Sequence, residues 1–277
     1  MRDPAGGALD GTVAAVTPDL HVVVHAPTLP RDGLPPVVLV HGAPDRSRNF
    51  APVLALLPDL EVTTYDRRGY GRSLDVRPPA RDFGDHAEDL IAVLDGRPAV
   101  VVAQSVGCNV ACTMAARAPE LVLALGLWEP PNAWCDWWPT PDLAAAAGRL
   151  AAVTDTAQLG EDFNRGILGD ERWEALSERT RTMLRGEGAA FRVDMASELV
   201  APYAFDDLRS PTVVGYGTAT GSGHAEGARR LAAIIGADLF EVEGADHFTS
   251  VSNPPAWAEL VRRAVALALR TDGAREA

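Results

Sequence analysis

The chain has no lysine; all 25 of its basic residues are arginine. This excludes a P-loop lysine, a Schiff-base lysine and a pyridoxal-phosphate anchor, because each needs an amine that a guanidinium cannot replace. Cysteine is also scarce, at Cys108, Cys112 and Cys135. An odd count with no CxxC spacing supports neither a disulfide framework nor a zinc site, and a reducing cytoplasm is expected. Positive charge is outnumbered, 25 basic residues against 38 acidic for a net charge of −13. The resulting field repels phosphate backbones and anionic headgroups, so neither nucleic acid nor a membrane surface is expected as a partner. Met1 to Gly11 lacks the apolar core of a secretory signal. The uncharged run Pro98 to Ala116 is interrupted by Gln104, Ser105, Gly107 and Asn109. It therefore reads as a buried strand, a sharp turn and a buried helix, not as a membrane span.

What is present is an ordinary globular composition, 277 residues of which 47% are hydrophobic, enough for one large core with an insertion. The β-branched runs Gly11 to Val16 and Leu20 to Ala26 flank Thr17-Pro18-Asp19 and predict an opening hairpin. Val37 to Val40, Glu61 to Tyr65, Ala99 to Ala103 and Leu121 to Trp128 are short apolar runs of the kind buried on both faces of a parallel sheet. Between them Asn49 to Leu57, Asp85 to Leu94 and Val106 to Arg117 have helical spacing. This alternation predicts a doubly wound α/β fold. It breaks from Pro130 to about Leu208, where helices are expected at Asp142 to Val153, Glu161 to Leu168 and Glu171 to Arg185. The sheet resumes with Thr212 to Tyr216, a helix from Ala225 to Ile235 and a strand at Asp238 to Glu243. A closing helix follows, with Asn253 as N-cap and Pro254 at its first position. The expected division is a core of residues 1–130 and 209–277 around a helical cap at 131–208, with eight mostly parallel strands and helices on both faces.

Ala103-Gln104-Ser105-Val106-Gly107 lies between a β-branched strand and a small-residue helix, a nucleophile elbow of the G-x-S-x-G type with alanine in its first position. Small neighbours are required because the strained turn brings backbones close together. His41-Gly42-Ala43-Pro44 follows a buried strand where an oxyanion loop is expected. The amides of Ala43 and Val106 are placed to meet on one carbonyl oxygen. His41 precedes the serine in the chain and is expected to shape that loop. With the turn Tyr65-Asp66-Arg67-Arg68-Gly69-Tyr70-Gly71-Arg72-Ser73 and Gly244-Ala245-Asp246-His247-Phe248 after the last strand, the chain resembles the α/β-hydrolase fold superfamily over almost its whole length. Asp66 and its arginines are expected to knit loops together.

That resemblance implies a triad in the chain order Ser, acid, His, with His247 as base. Asp246 is its immediate neighbour and points elsewhere, and His224 is expected at the surface or pocket rim. Relatives usually carry Gly-x-x-Asp after the strand matching Thr212 to Tyr216, whereas this chain reads Gly217-Thr218-Ala219-Thr220. Threonine cannot stabilise the imidazolium formed as serine loses its proton. Trp128-Glu129-Pro130-Pro131 ends the preceding strand on the same sheet edge, so Glu129 is the expected acid. Trp128, Trp134, Trp137 and Trp138 suggest an apolar wall over the site. Cys108 and Cys112 read as core, and Cys135 as a residue that could line the pocket.

The expected reaction is acyl transfer on an ester, thioester or lactone of a small apolar molecule, through an acyl-enzyme and with neither metal nor organic cofactor. Two alternatives stay open. One is cofactor-free chemistry of another kind, such as C–C cleavage, elimination or perhydrolysis; the other is a ligand-binding protein whose triad has decayed. A small-molecule substrate is the expected partner, and the sequence leaves room for a homodimer.

Overall fold

A computed structural model describes residues 19–139 and 142–275. In chain order the elements are β1 (Val22–His25), β2 (Val37–Val40), α1 (Ala51–Leu54), β3 (Val62–Tyr65), α2 (Phe83–Leu94), β4 (Ala99–Gln104), α3 (Val106–Arg117) and β5 (Val122–Trp128). Five helices follow: α4 (Leu143–Ala151), α5 (Thr156–Leu168), α6 (Asp170–Ala175), α7 (Glu178–Gly186) and α8 (Gly188–Ser197). The chain then completes β6 (Thr212–Gly217), α9 (Ser222–Ile235), β7 (Asp238–Val242), α10 (Thr249–Ser252) and α11 (Pro254–Arg275).

The strands form one seven-stranded sheet in the order β1-β3-β2-β4-β5-β6-β7. β1 is antiparallel to β3 and every other pairing is parallel. The expected first strand of the hairpin, Gly11 to Val16, lies outside the described residues, so seven strands are seen where eight were expected. Side chains alternate between the faces as a strand of period two requires. Leu125 and Leu127 join one core cluster with Ala87 and Leu90 of α2 and Val110 and Met114 of α3. Ala124 and Trp128 face the other way, toward Val53 of α1 and Trp257 and Val261 of α11. Helices thus cover both faces, as a buried parallel sheet demands. None of the helices, among the described residues, is long and apolar enough to cross a membrane.

The helical segment between β5 and β6 departs from expectation in two places. Instead of one helix over Glu171 to Arg185, the chain breaks at Leu176 and restarts after Ser177, whose side chain accepts from Thr180 N. α8 was not anticipated, because a glycine at its start reads as a helix breaker. Here Gly188 serves close packing: a Cβ there would lie 1.8 Å from the carbonyl oxygen of Thr156 at the start of α5.

Two buried ion pairs fasten α8 to the core. Arg67 donates to both oxygens of Asp194, at 3.1 and 2.7 Å, and Tyr70 OH donates to Asp194 at 2.6 Å. Arg46 pairs with Glu187, which also accepts from Gly71 N at 2.9 Å. Burial alone would raise the Asp194 carboxyl, but the Arg67 charge outweighs it and holds the group below the usual range. A depressed folded-state value stabilises the fold above the ordinary carboxyl value of 3.8, and that contribution is lost only as pH falls through the lower, folded-state value. Asp194→Asn should therefore cost about 3–5 kcal/mol in urea unfolding at neutral pH. The difference from wild type should stay constant down to mildly acidic pH and shrink only in strong acid.

Candidate active site

Parallel register builds the site. Gln104 pairs with Trp128 and Trp128 with Gly215, so β4, β5 and β6 end side by side and the residues that follow them share one sheet edge. Ser105 N donates to Trp128 O, and Glu129 N donates to Gly215 O, each at 2.9 Å. Immediately past these ladders the chain turns sharply. Ser105 has φ 52° and Glu129 has φ 49°, a region that non-glycine residues occupy at a cost of order 1–3 kcal/mol.

Close approach explains the small residues around the serine. A Cβ on Gly107 would lie 2.5 Å from His41 O and 2.8 Å from Val40 O, both rigid backbone atoms. A Cβ on Gly42 would lie 3.0 Å from Ser105 Cβ and 3.7 Å from its Oγ. The loop carrying Ala43 thus lies directly against the serine, and Val106 opens α3.

His41 is fully buried and its imidazole is spent on the loop. Its Nδ1 lies 2.7 Å from Gly42 O, and its Nε2 accepts from Arg67 N at 2.8 Å. Burial, assisted by the Arg67 charge, lowers its pKa to about 3, so the ring stays neutral. The Arg67 guanidinium also donates to His41 O at 3.1 Å and Gly42 O at 3.0 Å. Asp66 accepts from Ser47 N, Ser47 Oγ and Arg72 N. The turn knits loops together as expected, and through Asp194 it reaches α8 as well.

His247 Nδ1 lies 2.6 Å from Glu129 Oε2. The Glu129 side chain has no exposed surface, and its other contacts are Gly217 N donating to Oε1 and Thr220 Oγ1 donating to Oε2, each at 2.9 Å. Every oxygen of this buried carboxylate is therefore answered. Gln104 Nε2 donates to His247 O at 2.8 Å, and Gln104 Oε1 accepts from Ser250 Oγ at 3.0 Å. The residue preceding Ser105 thus holds the histidine loop by its backbone. Asp246 turns away, accepting from Phe248 N and Ser252 Oγ.

Two residues that sequence reasoning undervalued stand beside this pair. Thr220, in the Gly217–Thr220 segment where no carboxylate stands, donates its Oγ1 hydrogen to Glu129 Oε2. Of the two places expected for His224, surface or pocket rim, its partial burial fits the second: its ring stacks on His247 with centroids 4.5 Å apart and planes at 28°. Burial, and then the neighbouring His247, lower its pKa to about 4. The His247 ring rests on His224, and among the described residues no hydrogen bond joins it to Ser105 Oγ.

The indoles do not form a common wall. Trp128 is wholly buried on the α11 face of the sheet, where a Cβ on Gly215 would lie 2.8 Å from its ring, so it does not line the site. Trp134 packs on Tyr203 and Phe205. Trp137 lies against Trp138 and under the guanidinium of Arg230. Trp138 lies beside the histidine pair, with its ring edge-on to His224 at 5.6 Å. Cys108 and Cys112 are core residues, and burial raises the half-buried Cys135 thiol to about 11.

The chain belongs to the alpha/beta hydrolase family, whose model matches residues 37–260. Among curated proteins it is similar to Lipase LipV of Mycobacterium tuberculosis, 35% identical over 148 residues that cover 52% of this chain and 50% of that protein. The match thus spans about half the length of the curated relative. Among solved structures it is similar to a thermophilic esterase from Thermogutta terrifontis, with a TM-score of 0.68 and 20% identity over 90% of this chain and 93% of that one. It is also similar to the enol-lactonase from Burkholderia xenovorans, with a TM-score of 0.65 and 19% identity over 90% and 97%. At these identities the two structures show the fold alone.

Gly107→Ala should lower the melting temperature by several degrees, since overpacking against backbone costs about 1–3 kcal/mol. Gly148→Ala within α4, where an added Cβ meets nothing within 4 Å, should be neutral or mildly stabilising. Thermal unfolding of the two variants in parallel checks this.

Proposed function

We propose that the protein is a serine hydrolase that cleaves a carboxylic ester, thioester or lactone of a small substrate through an acyl-enzyme. The observation that carries this reading is the 2.6 Å contact between His247 Nδ1 and a fully buried Glu129, on the sheet edge where Ser105 is held at φ 52°. In the proposed cycle Ser105 Oγ attacks the carbonyl carbon while His247 Nε2 takes its proton. The tetrahedral oxyanion is held by the amides of Ala43 and Val106, a contribution of about 3–4 kcal/mol per donor in comparable sites. Collapse expels the leaving group, which takes its proton from His247. Water then attacks the acyl-enzyme with His247 as base.

Glu129 fixes the ring tautomer that leaves Nε2 free and stabilises the imidazolium as it forms. Substrate binding must lift the His247 ring from His224 far enough to bring Nε2 within about 2.6–3.2 Å of Oγ, a tightening common on passing from the free enzyme to the complex. Ser105 is only 9% exposed, which favours a small acyl group. In this reading the five-helix segment α4–α8 is the cap over the site, and Trp138 is the one indole of the sequence-predicted wall retained in it. The absence of a bond between Ser105 and His247 favours one rival, a binding protein with a silent triad.

A fluorophosphonate probe separates the two. It should label Ser105 in the wild type and leave Ser105→Ala unlabelled, whereas a silent triad would leave both unreactive. On a p-nitrophenyl ester, Glu129→Gln should lower turnover by about four orders of magnitude, as loss of the acid does in comparable triads. Thr220→Val removes one donor to a charged carboxylate and should cost only about tenfold. If Thr220→Val proved the more damaging, the acid would have to be reassigned.

A further inference from the structure

We propose that Glu129, His224 and His247 together form a binding site for a divalent transition cation of the zinc type, and that the bound cation switches the catalytic base off. The switching half rests on the hydrolase reading; the binding half does not. One ligand atom from each of the three side chains lies within 4.8 Å of the others. A carboxylate with two imidazoles is a donor set suited to zinc, copper or nickel, and too nitrogen-rich for magnesium or calcium.

The triad needs only one of these imidazoles. His224 Nδ1 is buried without a hydrogen-bond partner, and leaving a buried polar atom unpaired is unfavourable. A cation at the cluster would satisfy it. The rings are stacked, so the donors do not yet converge; a turn of the His224 ring about Cβ–Cγ is the movement that binding requires. Gly221 precedes α9 as its N-cap and has open space around it.

Zinc bonds to nitrogen and carboxylate oxygen of about 2.0–2.2 Å in tetrahedral geometry place two ligand atoms about 3.4 Å apart, so the His247 Nδ1 to Glu129 Oε2 separation of 2.6 Å must widen by most of an ångström. The Nδ1 lone pair then forms the metal bond, and the proton formerly shared with Glu129 passes through water to Nε2. No electron is transferred. With Nε2 protonated the ring cannot take the Ser105 proton, and water completes the coordination shell. Occupancy therefore inhibits without touching the serine.

Binding is tested on Ser105→Ala protein freed of metal by chelator, so that it is read independently of hydrolysis. Titration calorimetry with zinc chloride should give one site of micromolar affinity, and cobalt(II) should develop the intense visible bands of a low-coordinate nitrogen and oxygen site. His224→Phe keeps a ring against Trp138 and removes the donor; it should bind at least about tenfold more weakly. His224→Gln, smaller and polar, serves as the second variant. With the serine intact, zinc at the same concentration should inhibit ester hydrolysis reversibly, and His224→Phe should resist inhibition relative to its own metal-free rate. Absence of zinc binding at millimolar concentration, or affinity in both His224 variants unchanged from the Ser105→Ala parent, would overturn the site. Metal binding by a protein that fluorophosphonate does not label would leave the site standing and remove the hydrolase reading.

Discussion

A carboxylate with no access to water must find all its partners within the protein, and Glu129 finds them only because three parallel strands end in register. β5 stops at Trp128, one residue before the acid, while β6 continues to Gly217. The Glu129 backbone N–H still bonds Gly215 O, but its side chain, not the next strand residue, receives the Gly217 N–H. The acid thus caps a ladder that its own strand has left. Removing a buried charge's partners is expensive, so the strand ends, the Thr220 turn and the His247 loop are held by one electrostatic requirement. Positive φ at both Ser105 and Glu129 is the backbone strain that this arrangement sustains.

Much of this was legible in the sequence because the signals were local. Buried strands declared themselves as apolar runs, and Val37 to Val40 and Val106 to Arg117 were found with the limits the structure gives. Ser105, Glu129 and His247 each follow a strand, and in a parallel sheet chain order places strand ends on one edge. Trp128 was misplaced for a physical reason. Period-two alternation puts it on the face of Ala124 and opposite Leu125 and Leu127, but alternation does not say which face looks toward the site. The stacking of His224 on His247 left no trace, since it joins the start of a helix to a loop after the next strand. Thr220 was noticed only as the place where an acid was missing. That it donates to Glu129 follows from the fold of Gly217 to Thr220 around that side chain, which residue types alone do not specify.

The absence of lysine acquires a structural meaning at Arg67. One planar guanidinium bonds His41 O, Gly42 O and both carboxylate oxygens of Asp194, four acceptors in a fixed fork that an ammonium with three donors cannot reproduce. The carbonyls belong to the loop proposed to hold the oxyanion, and the carboxylate belongs to α8. A single side chain therefore sets the position of the loop and fastens the helical segment, which makes their geometries inseparable.

This coupling constrains how the helical segment can move. α8 is tied through Asp194 and Glu187, and moving it would strip two buried charges of their partners and disturb the loop beside Ser105. α4, by contrast, buries none of its residues, and an element with so few internal contacts opens at small free-energy cost. Motion in the helical segment is therefore expected at α4, while α8 stays fixed as the template against which the loop at Ala43 keeps its place.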